Sequence, residues 1–208
     1  MKVAAIVPAY NEEQTVGDVV RCLKASPLIA EVIVVSDGSN DQTAIRAKEA
    51  GAIVVELKEN VGKGGAMKEG TAHTDADIFL FIDADLVGLT QNHISTLLEP
   101  VLNDQAEMTV GVFEDGRLAT DLAQKIAPFL SGQRAIRQEL FKSIPEIEHS
   151  RYGVEMSLSR YADKHNVRVK IVSLPALSQI MKEEKRGIVK GFCLRLKMYW
   201  EILRTAKL

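Results

Sequence analysis

The chain has 208 residues, 46% of them apolar and 26% charged, and a formal net charge of −2. That length suits one domain with a full core, and the two cysteines, Cys22 and Cys193, lie far apart without metal-ligand spacing, which predicts a reduced, cytoplasmic protein rather than a disulfide or zinc scaffold. Lys2 leads into a short apolar run before Pro8 with no leader pattern, and no uncharged stretch reaches bilayer length, so secreted and membrane-spanning classes are not expected.

Along the first half, apolar runs alternate with helical patterns. Val3 to Val7 reads as a strand that Pro8 stops, and Thr15 to Ala25 as a helix with Val16, Val19, Val20 and Leu23 inward. Val32 to Val35, Ile53 to Leu57 and Ile78 to Ile82 read as further strands, separated by helices over Asp41 to Ala50 and Gly64 to His73. A helix over His93 to Leu102 follows. Strands joined by crossover helices imply an α/β fold with a mostly parallel central sheet covered on both faces. Beyond that, Met108 to Val112 predicts a strand, Glu114 to Arg117 a turn, Ser131 to Lys142 and Gly153 to His165 helices, and Val167 to Val172 a strand. No repeat or linker divides the chain, so one domain over 1–187 is expected, followed by a basic amphipathic helix over 188–208.

Ligands in such sheets bind at the carboxyl ends of the strands, where the informative polar residues of this sequence fall. After the first strand, Asn11 and Glu13 suit a helix start, whereas Tyr10 and Glu12 can stack on and hydrogen-bond to a base and ribose. After the second, Gly38 permits a tight turn and Asn40 or Asp41 caps the next helix, while Asp37 is placed to accept from a nucleobase. Asn60-Val61-Gly62-Lys63-Gly64-Gly65 is a glycine-rich turn with an ammonium at a helix start, either a solvated turn or an anion cradle. Asp83-Ala84-Asp85 closes the fourth strand with two carboxylates at spacing two, a strand-end turn or a grip for a hard cation and sugar hydroxyls. In the second half, Ser131-Gly132-Gln133-Arg134 and Tyr152-Gly153-Val154-Glu155 stand out. Glu155 opens a helix, where it is either a dipole partner or a base that orients an acceptor hydroxyl.

Together, Pro8-Ala9-Tyr10-Asn11-Glu12, Ser36-Asp37-Gly38-Ser39, Gly62-Lys63-Gly64 and Asp83-Ala84-Asp85-Leu86 resemble the nucleotide-sugar glycosyltransferases of family 2, which have the Rossmann-like GT-A fold. The second-half motifs are similar to those of glucosyl-3-phosphoglycerate synthases, and the first half is equally similar to polyprenyl-phosphate sugar synthases of the dolichyl-phosphate mannose type. The resemblance implies that Pro8, Ala9, Tyr10, Glu12 and Asp37 hold the nucleoside, with Gly62 and Lys63 close by. Asp83 and Ala84 would face ribose and sugar, and Asp85 would bind the Mg²⁺ or Mn²⁺ that bridges the diphosphate. Gly132, Arg134, Tyr152, Gly153 and Glu155 would line the acceptor side. Related enzymes often add a His ligand after the last strand; Ser178-Gln179 stands there instead, so Gln179 is the expected further metal ligand through its carbonyl oxygen. The Glu-Asp base pair of many inverting members is also missing, which leaves the stereochemical course open.

The expected activity is therefore cation-dependent transfer of a hexose, glucose above others, from a nucleotide sugar to an acceptor hydroxyl or phosphate. UDP-glucose is the favoured donor and a GDP-sugar the second. The alternative is a nucleotide-sugar binding or regulatory protein. After Met181, eight Lys/Arg stand against three Glu, about +5, which leaves about −7 on the rest. Ile188, Phe192, Leu196, Tyr199 and Leu203 share one helical face, which either packs on the domain or meets anionic lipid at the inner membrane face. The acceptor is accordingly a small phosphorylated molecule or a lipid phosphate. A second copy of the chain is a candidate partner, whereas the acidic body argues against nucleic acid.

Overall fold

The computed structural model describes residues 1–113, 131–145 and 153–179. In chain order it runs β1 Val3–Ala9, α1 Val16–Lys24, β2 Glu31–Asp37, α2 Thr43–Glu49, β3 Ile53–Leu57, α3 Lys63–Ala72, β4 Ile78–Phe81, β5 Leu86–Val87 and α4 Gln91–Leu102. It continues with β6 Met108–Phe113, β7 Arg134–Arg137, α5 Gln138–Ser143, α6 Val154–Lys164, β8 Val169–Leu174 and β9 Ser178–Gln179. Seven strands form one sheet in the order β3-β2-β1-β4-β7-β6-β8, and β5 pairs with β9 in a separate two-stranded sheet. The β1, β2, β3 and β4 pairings are parallel, as is β6 with β8; β7 runs antiparallel to both of its neighbours.

The central strands are continuous apolar runs because both faces are covered. Side chains alternate across the sheet. Val3, Ala5 and Val7 of β1 pack with Val16, Val19, Val20 and Leu23 of α1 and with Leu97 and Leu98 of α4. Ala4 and Ile6 face the other way, toward Met67 of α3, Phe141 of α5 and Leu158 of α6. On that second face Phe79 and Phe81 meet Phe141 with ring centroids 5.7 and 5.1 Å away, which fixes α5 against β4.

Three local expectations are corrected. Pro8 does not stop β1: the strand continues to Ala9. The β1–β4 ladder ends at Ile6↔Phe81, so the N–H that proline lacks is not needed there. Asn11 does not cap α1, whose N-cap is Thr15; Asn11 instead takes a φ of 56°. The predicted helix over Ser131 to Lys142 is a strand followed by a short helix. Arg137, at φ −64° and ψ 138°, is the extended residue at which β7 gives way to α5. Ala135, Ile136 and Phe141 mimic a helical stripe in sequence, but Ala135 and Ile136 face opposite sides of the sheet. Tyr152 and the segment over 188–208 lie outside the described residues. Among the described residues no helix is long and apolar enough to cross a membrane.

Helix α3 comes close to the sheet at Gly70, where an added Cβ would lie 2.6 Å from Ile6 Cγ2 and 3.0 Å from Val35 Cγ2. Alanine at this position gains about 0.5–1 kcal/mol of helix propensity, but overpacking costs about 1–3 kcal/mol. Gly70→Ala is therefore expected to lower the free energy of urea unfolding by about 1–2 kcal/mol, and an unchanged or raised midpoint would contradict this packing.

Candidate functional site

Because β1 to β4 are mutually parallel, the loops after them gather at one edge of the sheet. The loops after β1 and β2 are stitched together. Asn11 N–H donates to Ser39 Oγ (3.1 Å), Glu12 N–H to Thr43 Oγ1 (2.8 Å) and Glu13 N–H to Asp41 Oδ2 (3.2 Å). In return Asn40 N–H donates to Asn11 Oδ1 (2.9 Å) and Gln42 N–H to Glu13 Oε2 (3.0 Å). Asn11 and Glu13 thus act between loops. Gln42 is the N-cap of α2, and Asp41 just before it accepts from Thr43 N–H at 3.0 Å. Pro8 is half-buried and Ala9 buried at the end of β1, and Glu12 is half-buried beyond them. Tyr10 keeps 37% exposure at this rim, a ring available for stacking.

Asp37 was expected to face a nucleobase. It is 3% exposed, and its Oδ1 and Oδ2 accept from the backbone N–H groups of Val61 (2.7 Å) and Gly62 (3.0 Å). The carboxylate therefore holds the loop that leads into α3. Gly38 lies at φ 67°, and an added Cβ would meet Asn60 N at 2.7 Å, so the two loops approach backbone to backbone. Gly62 is the N-cap of α3 at φ 87°, a left-handed conformation that favours glycine.

Lys63, the first residue of α3, does not point into an open anion cradle. Its Nζ lies 2.5 Å from Asp83 Oδ1 and 2.5 Å from Glu155 Oε1, bridging the end of β4 to the first turn of α6. Side-chain exposures of 27%, 16% and 15% for Lys63, Asp83 and Glu155 leave this triad reachable from one side. Desolvation opposes the Asp83 charge, but Lys63 and the amides of Gln133 and Gln179 outweigh it and hold its pKa below the ordinary carboxylate value. Desolvation likewise opposes the Lys63 charge, yet Asp83 and Glu155 raise its pKa above the usual lysine value.

Asp83 is gripped from behind by Gln133, which is 1% exposed. Asp83 N–H donates to Gln133 Oε1 (3.0 Å) while Gln133 Nε2 donates to Asp83 Oδ2 (3.0 Å). Gln179 Nε2 donates to the same Oδ2 at 2.8 Å. β9 brings Gln179 there by pairing with β5 in the register Leu86↔Gln179, directly after Asp85. His93 Nε2, 2.9 Å from Pro175 O, holds the preceding turn against α4. Gly132 sits over the triad, since an added Cβ would collide with Lys63 Nζ and both Asp83 oxygens. Ala84 is buried and Asp85 half-buried beside it.

Two acceptor-side expectations change. Arg134 is 1% exposed and cannot line an open pocket. Its Nε donates to Ser131 O (2.9 Å) and its Nη2 to Ser159 Oγ (2.9 Å), and Ser159 in turn donates to Glu155 O (2.9 Å). Burial lowers its pKa to about 10 while the nearby Glu155 carboxylate opposes the shift, so it stays charged at neutral pH. Arg134 is thus a support for α6. Gly153 is the N-cap of α6 with nothing within 4 Å of an added Cβ, so space alone does not demand glycine there. Gln133 was read as part of a motif but not as a site residue. Its burial and its two bonds to Asp83 depend on β7 being a strand, which the helical stripe hid.

For a hard cation the described residues offer carboxylate oxygens of Asp85 and Asp83 and the amide oxygen of Gln179. Among them no three His, Cys, Asp or Glu side chains gather as a cluster. One or two carboxylates with phosphate oxygens from a substrate make an ordinary Mg²⁺ or Mn²⁺ set, so the donors fit.

The family model for glycosyl transferase family 2 matches residues 4–166. The chain belongs to this family. It is 34% identical over 190 residues to the glucosyl-3-phosphoglycerate synthase of Mycolicibacterium smegmatis, covering 75% of this chain and 62% of that protein. An uncharacterized protein of Methanocaldococcus jannaschii is 27% identical over 225 residues, 95% of this chain and 90% of its own length. Among solved structures, glucosyl-3-phosphoglycerate synthase from Mycobacterium tuberculosis in complex with Mn²⁺, UDP and glucosyl-3-phosphoglycerate superposes with a TM-score of 0.71 at 29% identity, covering 86% of this chain and 72% of that one. The fold is accordingly GT-A, as the motifs led one to expect. The chain spans 62% and 59% of the length of the mycobacterial synthases it matches in sequence.

The triad sets a pH dependence. A depressed Asp83 pKa contributes stability above the unfolded value near 3.9 that is lost as pH falls through the folded pKa, and a raised Lys63 pKa contributes stability below about 10.4 that is lost at higher pH. Between about pH 5 and 9 the wild-type contribution is flat. Lys63→Met leaves two partly buried carboxylates without their ammonium, a loss of about 3–5 kcal/mol at pH 7. The variant relieves this by taking up a proton, so its deficit relative to wild type should shrink between pH 7 and pH 5 in urea unfolding. A deficit that does not change with pH would contradict the triad.

Proposed function

We propose that the protein transfers a glucosyl unit from UDP-glucose to a hydroxyl of a small phosphorylated acceptor. The observation that carries this reading is the placement of Asp83 and Asp85 at the carboxyl end of β4 with Lys63 joining Asp83 to Glu155. A carboxylate whose pKa is held low, as that of Asp83 is, at a strand-end edge is a usual signature of a working site. Membership of the family supports sugar transfer. The donor and acceptor classes are carried over from the Mycobacterium tuberculosis enzyme, whose solved complexes hold UDP-glucose with phosphoglyceric acid or glycerol 3-phosphate in the presence of Mn²⁺.

In this reading the rim of Pro8, Ala9 and Tyr10 receives the uracil and ribose, with Tyr10 stacking on the base. Asp83 faces the ribose and sugar, and its ionised carboxylate accepts from hydroxyl groups. Asp85 and Gln179 would hold Mg²⁺ or Mn²⁺, which when bound supplies Lewis-acid neutralisation of the departing diphosphate. Lys63, kept cationic by its two carboxylates, stabilises negative charge that develops on the leaving side. Glu155 approaches the sugar from α6 and orients it toward the acceptor. Gly132 passes directly against Lys63 and Asp83, where any side chain would displace the triad that meets the donor.

UDP release from UDP-glucose with Mn²⁺ and 3-phosphoglycerate tests the proposal. Asp85→Ala should lower kcat at least about 100-fold, because Lewis-acid stabilisation is worth several kcal/mol. Gly132→Ala should reduce turnover by about tenfold or more through the misplaced triad. Tight nucleotide binding without cation-dependent release from any UDP- or GDP-sugar would favour a binding protein. Pyrophosphate release from a nucleoside triphosphate and a sugar phosphate would overturn the transferase reading.

A further inference from the structure

We propose that Gln133 is a positioning residue that fixes both the main chain and the carboxylate of Asp83 for the donor sugar. The proposal rests on the sugar-nucleotide reading of the site and assigns to that site a side chain which touches no substrate.

The geometry is that of a two-point clamp. A primary amide has one acceptor end and one donor end, and here both ends engage one residue. Gln133 Oε1 accepts from Asp83 N–H and Gln133 Nε2 donates to Asp83 Oδ2, each at 3.0 Å. A carboxylate only accepts and an N–H only donates, so the amide orientation is dictated and cannot be flipped without breaking both bonds. Gln133 is itself held. Its carbonyl accepts from Gly111 N–H at 2.8 Å and its N–H donates to Ser131 Oγ at 3.3 Å, which anchors it to β6 and to the entry of β7. At 1% exposure bulk solvent does not reach the side chain to take over either bond.

The clamp also settles how the other donors share Asp83. Lys63 reaches Oδ1, while Gln133 and Gln179 both reach Oδ2. Gln179 is exposed and arrives on a two-residue strand, so it can yield to a ligand. Gln133 is buried at the entry of β7 and cannot. Oδ2 of Asp83 therefore keeps Gln133 as its fixed partner while the place of Gln179 is handed to the donor. A glutamine at 133 serves this purpose because it spans from the residue before β7 to the main chain of Asp83. A residue without the amide leaves a buried N–H unmatched and the carboxylate able to turn.

The experiment is a double-mutant cycle read by calorimetric titration of UDP-glucose in Mn²⁺, with folding of each variant checked by thermal unfolding. Gln133→Met and Gln133→Glu preserve length; the first removes both ends of the clamp, and the second replaces the donor end by a carboxylate oxygen that opposes Asp83 Oδ2. Each should weaken UDP-glucose binding on the order of 10- to 100-fold. In an Asp83→Ala background only the bond to the main-chain N–H is left to break, so the same substitutions should weaken binding several-fold less than in the wild type. If Gln133→Met does not fold, Gln133→Glu carries the cycle. Equal losses in the two backgrounds, or wild-type affinity in a folded Gln133 variant, would overturn the proposal. Absence of UDP-glucose binding by the wild type would instead remove the transferase reading and this inference with it, so the two failures are distinguishable.

Discussion

The ammonium of Lys63 is the joint on which the site depends. It reaches Asp83 across 20 residues of sequence and Glu155 across 92, and so ties the β1–β4 half of the sheet to α6 of the second half. Burying two carboxylates and an ammonium is expensive, and such an arrangement is weak evidence for stability by itself. Its position beyond the carboxyl ends of β1 to β4 is where such sheets bind ligands, and in the function proposed above it presents ionised oxygens at a fixed spacing to the donor sugar. The surrounding structure either supports that spacing or leaves room above it.

The support comes from a single reversed strand. β7 runs antiparallel between β4 and β6, so the residues entering it arrive at the same edge where β4 ends. Gly132 passes over the triad without a side chain, Gln133 clamps Asp83, and Arg134 reaches beneath to Ser159 on α6. Three consecutive residues thus do three separate jobs, because successive side chains of an extended segment point in opposite directions. From the other side, the β5–β9 pair carries Gln179 over the same carboxylate.

Much of this was legible from residue order. The first four strands and their helices follow from apolar runs and from strand-end polar residues, and Ile53–Leu57 matches the expected bounds. Ends were less legible. Pro8 continues β1 because its neighbour strand has already ended, a fact of register that no local propensity contains. The helical stripe around Ser131 to Lys142 misled because Ala135 and Ile136 are buried on both faces of a sheet, which looks like one face of a helix over so short a stretch. The site residues on strand ends were foreseeable as types in positions. What each one touches was not: Asp37 holds backbone N–H groups, Lys63 holds carboxylates, and Arg134 is buried, all through contacts made by distant segments.

The central claim is that the donor sugar lies against the Asp83–Lys63–Glu155 triad with its nucleotide along the ends of β1 and β2. A crystal structure of the protein with Mn²⁺ and UDP-glucose tests this most directly. The account predicts the uracil against Tyr10, the diphosphate beside Asp85, and glucosyl hydroxyls within hydrogen-bond reach of the Asp83 and Glu155 carboxylates. A nucleotide bound at another edge of the sheet, or a glucosyl ring out of reach of both carboxylates, would contradict it.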